Sequence, residues 1–158
     1  MALDWLSSGG WLGAAALSAG IGGYLLAIAV IDLKTLRIPD SLSLPLVAAG
    51  LALAATGPKE ILADHLIGAG LGFLLLAGFG EIFFRLRDRE GLGLGDAKLF
   101  AAAGAWLGWR TLPVVLFLAS CGGLCWALAC SRSREIAFGP WIALGFWLCL
   151  QRKLFWPI

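Results

Sequence analysis

The sequence predicts an all-α protein, a polytopic membrane helix bundle of about six transmembrane helices forming a single domain over residues 1–158. Three observations predict it. Of the 158 residues 60% are hydrophobic and only 14% charged, with a mean hydropathy of +0.89, far above the apolar share of a water-soluble domain. Uncharged runs recur that are long enough to cross a bilayer, and the charges between them are gathered into short connectors. At roughly 20 apolar residues per crossing, a chain of this length is filled by its spans, with nothing left for a separate soluble domain.

The first span is the uncharged run 11–31, which as a helix extends about 31 Å at about 1.5 Å per residue, and Asp32 is expected to end it. The polar segment LKTLRIPD leads into a second span over 42–56, with Pro45 placed to open or kink an early turn. The hydrophilic GPKEILADH reads as a connector to a third span over 66–84, interrupted by Glu81 near its end, where an (i, i+4) pairing with Arg85 takes it to the headgroups. After the charged loop RLRDREGLGLGD, residues 97–109 form a fourth segment, short enough to suggest a half-helix or a tilted one in thinned bilayer. Residues 111–131 make a fifth span, and 138–150 a sixth, opened by the turn Phe138-Gly139-Pro140.

With the N-terminus outside, alternate threading leaves Lys34, Arg37, Arg85, Arg87, Arg89, Lys98, Arg132 and Arg134 inside, and Lys59, Arg110, Arg152 and Lys153 outside. Positive charge favours the cytoplasmic side, so the prediction is N-out and C-out. The N-terminal MALDWLSSGGW lacks the basic flank of a cleavable signal peptide, and the first span is expected to be retained. A net charge of +2 leaves no basic surface for nucleic acid. Cys121, Cys125, Cys130 and Cys149 lie in apolar runs, with no C-x-x-C pair and none near His65, so they read as packing residues and no metal site is expected. The pairs Gly68/Gly72 and Gly104/Gly108 have the spacing that lets membrane helices approach closely.

Two acids stand out. Asp32 follows YLLAIAVI without a polar spacer, and Asp96 follows GLG and leads straight into AKLFAAAGAWLG, placing both at one depth near the cytoplasmic boundary. A carboxylate there costs several kcal/mol, on the order of 2.5–3.5 at a helix centre, unless paired or wetted. Taken singly, each has an ordinary reading: Asp32 as a helix end facing water, and G-x-G-D as a glycine turn capping the next helix. Together they suit general acid–base work, because two close carboxyls tend to share one proton; one then activates a water while the other protonates the developing oxyanion, with no metal or cofactor. Gly91, Gly93 and Gly95 lack Cβ atoms and give an extended peptide room beside Asp96. Lys98, two positions along the helix, points away from Asp96 and is expected to snorkel to the surface. Asp64 falls in the outside connector, and neither it nor Glu81 is given a catalytic part.

Three segments, IDLKTLRIPDSLSLPLVAAGL, GLGLGDAKLFAAAGAWLGW and AFGPWIALG, resemble in order and spacing those of the type IV prepilin peptidases, GxGD aspartyl proteases of bacterial and archaeal membranes. The resemblance implies catalytic roles for Asp32 and Asp96. It also implies cleavage of the short basic leader of prepilins or pseudopilins after a Gly, ahead of the substrate's hydrophobic helix, at the cytoplasmic face of a bacterial inner membrane. Many members carry an additional cytoplasmic region with Cys-x-x-Cys motifs and methylate the new N-terminus. This chain begins almost directly at its first span without that motif, and so resembles the short, peptidase-only form of Flp or Tad pilus systems. A presenilin-like protease shares GxGD but places Tyr before its first Asp, where Ile31 stands here. A small transporter spreads its ionisable groups across the membrane depth, and a scaffold tolerates Asn at both positions.

Overall fold

A computed structural model describes residues 11–87, 93–129 and 137–156. They form six α-helices: α1 (Trp11–Thr35), α2 (Asp40–Ala55), α3 (Lys59–Arg87), α4 (Leu94–Leu107), α5 (Leu112–Ala129) and α6 (Gly139–Phe155), with one 3-10 turn (Trp109–Thr111) between α4 and α5. Trp11–Thr35, Lys59–Leu86 and Trp109–Ala129 are each long and apolar enough to cross a membrane. Large apolar side chains such as Leu26, Leu74, Phe79 and Phe117 point outward, as lipid-facing positions require. The chain is an integral membrane helix bundle.

α4 is the centre of the bundle. Its residues Leu99 to Leu107 are all buried, and it packs on α3, α2 and α6. This settles the short fourth segment. A 14-residue helix spans only about 21 Å at about 1.5 Å per residue, yet it needs no longer oily surface, because protein rather than lipid surrounds it. The small residues of AAAGA let the neighbours close in: a Cβ on Gly68 would lie 2.6 Å from the Gly104 carbonyl oxygen, and one on Gly72 would lie 2.9 Å from that of Phe100. Gly108 has a second task, ending α4 with φ at +82°, a value that side-chain-bearing residues rarely adopt.

Two helix ends differ from expectation. α1 continues through Asp32 to Thr35 and stops where Leu36 takes φ +52°, with the Leu36 N–H donating to the Asp32 carbonyl. α3 begins at Lys59, not at 66: Pro58 accepts the first amide bonds from Ile61 and Leu62, and Glu60 suits the positive end of the helix. The 29 residues of α3 run about 43 Å, beyond the roughly 30 Å hydrocarbon core, which leaves length for its charged first turn to lie outside the hydrocarbon.

The inward faces of α1 and α6 follow the helical repeat. On α1 the buried stripe is Ala14, Ser18, Ile21, Leu25, Ile28 and Asp32; on α6 it runs from Gly139 through Ile142, Phe146, Leu150 and Leu154. Ser18 donates to Gln151 at 2.7 Å, joining the N-terminal part of α1 to the C-terminal part of α6, away from the Asp32/Gly139 end. Cys149 is buried here as expected, whereas Cys121 and Cys125 lie on the outer face of α5 instead of packing inside, and Cys130 lies outside the described residues.

Candidate active site

Asp32 occupies the last inward position of the α1 stripe and is 4% exposed, the one buried acid among the described residues. Burial of a carboxyl demands a donor. It comes from the turn Phe138-Gly139-Pro140, where the Gly139 N–H donates to Asp32 Oδ2 at 3.1 Å. Gly139 opens α6, so its N–H belongs to the first turn, whose amides have no partner within the helix, and the positive end of that helix meets the acid. The residue must be glycine: a Cβ there would lie 2.6 Å from Asp32 Oδ2 and 2.9 Å from Ile38 Cδ1.

Asp96 sits in the first turn of α4. Gly93 is the cap residue, and its carbonyl accepts the Asp96 N–H at 3.1 Å. The cap of α4 is thus Gly93 and not Asp96, which stands in the first turn, near the positive end of the helix, and presents its carboxyl to the site. Both acids line one cavity of about 550 Å³, together with Leu36, Arg37, Ile38, Ala77, Gly80, Glu81, Phe84, Gly93, Leu94 and Gly95.

The three glycines separate in role. Gly93 faces open space, with nothing closer to a would-be Cβ than 3.9 Å, and so leaves room for a ligand backbone. Gly95 also lines the cavity, but the place of its missing side chain is taken by Ile38, whose Cβ would lie 2.9 Å away and whose backbone N would lie 3.2 Å away. Gly91 lies outside the described residues. Ile38 is thus wedged between the G-x-G-D turn and Gly139, and the Ile-Pro turn joins the two halves of the site.

Lys98 does not simply snorkel. Its Nζ pairs with Asp40 Oδ1 at 2.5 Å, tying α4 to the first residue of α2 across the Ile38 wedge. Asp40 is largely exposed, so the pair is worth no more than about 1 kcal/mol of stability, but it fixes where Asp96 stands. Lys98→Ala is therefore expected to lower kcat about tenfold with a melting temperature close to wild type, and the charge exchange D40K/K98D to recover part of that loss. Steady-state cleavage assays on the three proteins check it; an unchanged kcat in Lys98→Ala would leave the pair without a positioning part.

Glu81 makes the expected ion pair with Arg85, Nε to Oε1 at 2.7 Å, yet it also stands on the cavity wall, which its place in a span did not reveal. Asp64 lies within α3, not in a connector, where Trp109 donates to it at 3.2 Å. The contributions that sequence reasoning missed are the Gly139 amide, Asp40 and the cavity-facing Glu81. One signal was available for Asp40: a lysine turned away from Asp96 beside an apolar helix needs an anion, and Asp40 opens the neighbouring helix.

A sequence profile of the type IV leader peptidase family matches residues 19–128 of the chain. The prepilin leader peptidase/N-methyltransferase of Aeromonas salmonicida (strain A449) is 41% identical over 132 residues, covering 80% of this chain and 45% of the relative. The protein of the same name from Escherichia coli (strain K12) is 43% identical over 127 residues, 77% of this chain and 56% of the relative. That from Burkholderia pseudomallei (strain 1026b) is 42% identical over 139 residues, 84% and 45% respectively. The chain spans about half the length of these curated relatives. No solved structure gives a significant match. A profile match over most of the chain, together with these relatives, shows that the chain belongs to the type IV leader peptidase family.

Proposed function

We propose that this chain is a membrane aspartyl endopeptidase that removes the short basic leader from prepilins or pseudopilins at the cytoplasmic face of a bacterial inner membrane. The single observation that carries the chemistry is the shared cavity of Asp32 and Asp96, one buried against a helix N-terminus and the other at the mouth of the central helix. The names of the relatives support the substrate class. The side of the membrane rests on charge: alternate threading of the spans puts eight of the twelve Lys and Arg on the same side as Asp32 and Asp96.

In this reading the two carboxyls share one proton. The ionised one takes a proton from a water as its oxygen attacks the scissile carbonyl; the protonated one donates to the carbonyl oxygen, stabilising the tetrahedral intermediate. The proton taken from water is then passed to the leaving amine as the C–N bond breaks, the former carbonyl oxygen returns its proton to the other carboxyl as the C=O bond re-forms, and the pair is back in its starting state. Gly93 leaves room for the extended backbone of the substrate, and the unmet backbone groups of that segment pair with whatever strand-like surface the turn offers. The placement of both acids in one cavity favours this over a transporter, whose ionisable groups form a path across the membrane.

The scheme is tested by leader cleavage with purified chain in lipid nanodiscs, with and without a metal chelator and with serine- and cysteine-directed reagents. Turnover is expected to persist under every treatment. Loss of activity with the chelator and its return on adding metal would contradict hydrolysis by two carboxyls.

A further inference from the structure

The cavity wall opposite Asp96 is supplied by α3 through Ala77, Gly80, Glu81 and Phe84, residues three and four apart that share one face of the helix. The antiparallel register of α3 and α4 is fixed by two close approaches, Gly68 against Gly104 and Gly72 against Phe100. Continued by one turn, the same register sets Asp96 level with Leu76. Glu81 then stands about 7 Å farther toward the C-terminal end of α3, at about 1.5 Å per helical residue. An extended peptide advances about 3.3 Å per residue, so that offset equals about two residues of a strand passing Asp96.

Direction follows from the leader-peptidase reading, on which this inference rests. The substrate's hydrophobic helix remains in the bilayer, and its leader points to the cytoplasmic end, the end where α3 terminates. A leader residue about two positions ahead of the scissile bond therefore passes Glu81. The Glu81 side chain is 57% exposed, and its carboxylate already holds a guanidinium, that of Arg85. Arg37 also lines the cavity and carries the opposite charge, so the cavity is not uniformly attractive to cations.

We propose that Glu81 is a specificity-determining residue, whose carboxylate receives a Lys or Arg side chain of the leader about two residues before the cleaved bond, displacing Arg85. The ion pair with Arg85 keeps the carboxylate extended along the wall until the leader arrives. An exposed ion pair contributes modestly, so the effect belongs in substrate binding, not in the chemical step.

The test uses the full chain in nanodiscs with a set of prepilin substrates that keep the Gly before the scissile bond and in which the residue two, three or four positions before that bond is Lys, Gln or Glu. Wild type is expected to lose about five- to tenfold in kcat/KM, mainly through KM, when the Lys two positions ahead becomes Gln, and more when it becomes Glu. Glu81→Lys is expected to reverse the order and prefer the Glu leader, Glu81→Gln to show little preference, and Arg85→Gln to keep the wild-type order. If Glu81→Lys keeps the wild-type order, or if Arg85→Gln loses discrimination as fully as Glu81→Gln, Glu81 does not read the leader. Wild type that cleaves none of the substrates removes the peptidase reading itself, and this inference with it.

Discussion

Asp32→Asn and Asp96→Asn are each expected to lower leader cleavage by about three to four orders of magnitude while leaving the protein folded and inserted. Asn has the shape of Asp, and its carbonyl oxygen can accept the Gly139 N–H that Asp32 Oδ2 accepts at 3.1 Å, so the start of α6 stays in place. At Asp96 the bond from the backbone N–H to the Gly93 carbonyl is untouched by the change of side chain. What neither variant retains is a pair of groups able to exchange a proton with water and with the leaving amine. Single-turnover cleavage, with thermal melting of the same preparations, separates the two contributions. Turnover near wild type in either variant would take that aspartate out of the reaction.

The second large effect is expected from Gly139→Ala. The added methyl would lie 2.6 Å from Asp32 Oδ2 and 2.9 Å from Ile38 Cδ1, so either the carboxyl turns away or the first turn of α6 backs off. Overpacking of this kind costs about 1–3 kcal/mol of stability. A displacement near 1 Å of a reacting group costs about a hundredfold in rate. The predicted signature is a fall in kcat about a hundredfold with KM little changed. Gly20→Ala, where a Cβ meets nothing within 4 Å, serves as the control and keeps wild-type activity. A Gly139→Ala protein with wild-type kcat would mean that the amide of the Phe138-Gly139-Pro140 turn does not position Asp32.

The spans were legible because charge interrupts them: residues 11–31, 42–56, 66–84, 97–109, 111–131 and 138–150 each contain the greater part of a helix in the structure. Their inward faces were not. α1 is uncharged on every side up to Asp32, since outward residues meet lipid as oily as the core, and no polar stripe marks the exposed face. The charged first turn of α3 misled for the same reason, as a helix that outruns the bilayer carries polar residues without ending. The buried α4 was obscured by its shortness, which matters only for a helix that faces lipid.

At the site, Asp32 and Asp96 could be singled out because an acid beside an apolar run is costly, and that cost is visible residue by residue. The supporting contacts could not. Gly139 acts through its backbone, which every residue possesses, and Lys98 meets an acid 58 positions away in the chain. Glu81 was placed correctly against Arg85 because both lie on one helix, but its view of the cavity depends on how α3 packs against α4.

The most direct test of the account is to incubate the purified chain in lipid with a prepilin that retains its leader and first hydrophobic helix, and to determine the N-terminus of the product. The account predicts one cut, after the leader Gly and ahead of the hydrophobic helix, made by wild type and by neither Asp→Asn variant. A cut inside the hydrophobic helix, or no cut by well-folded wild type across several such substrates, would contradict it.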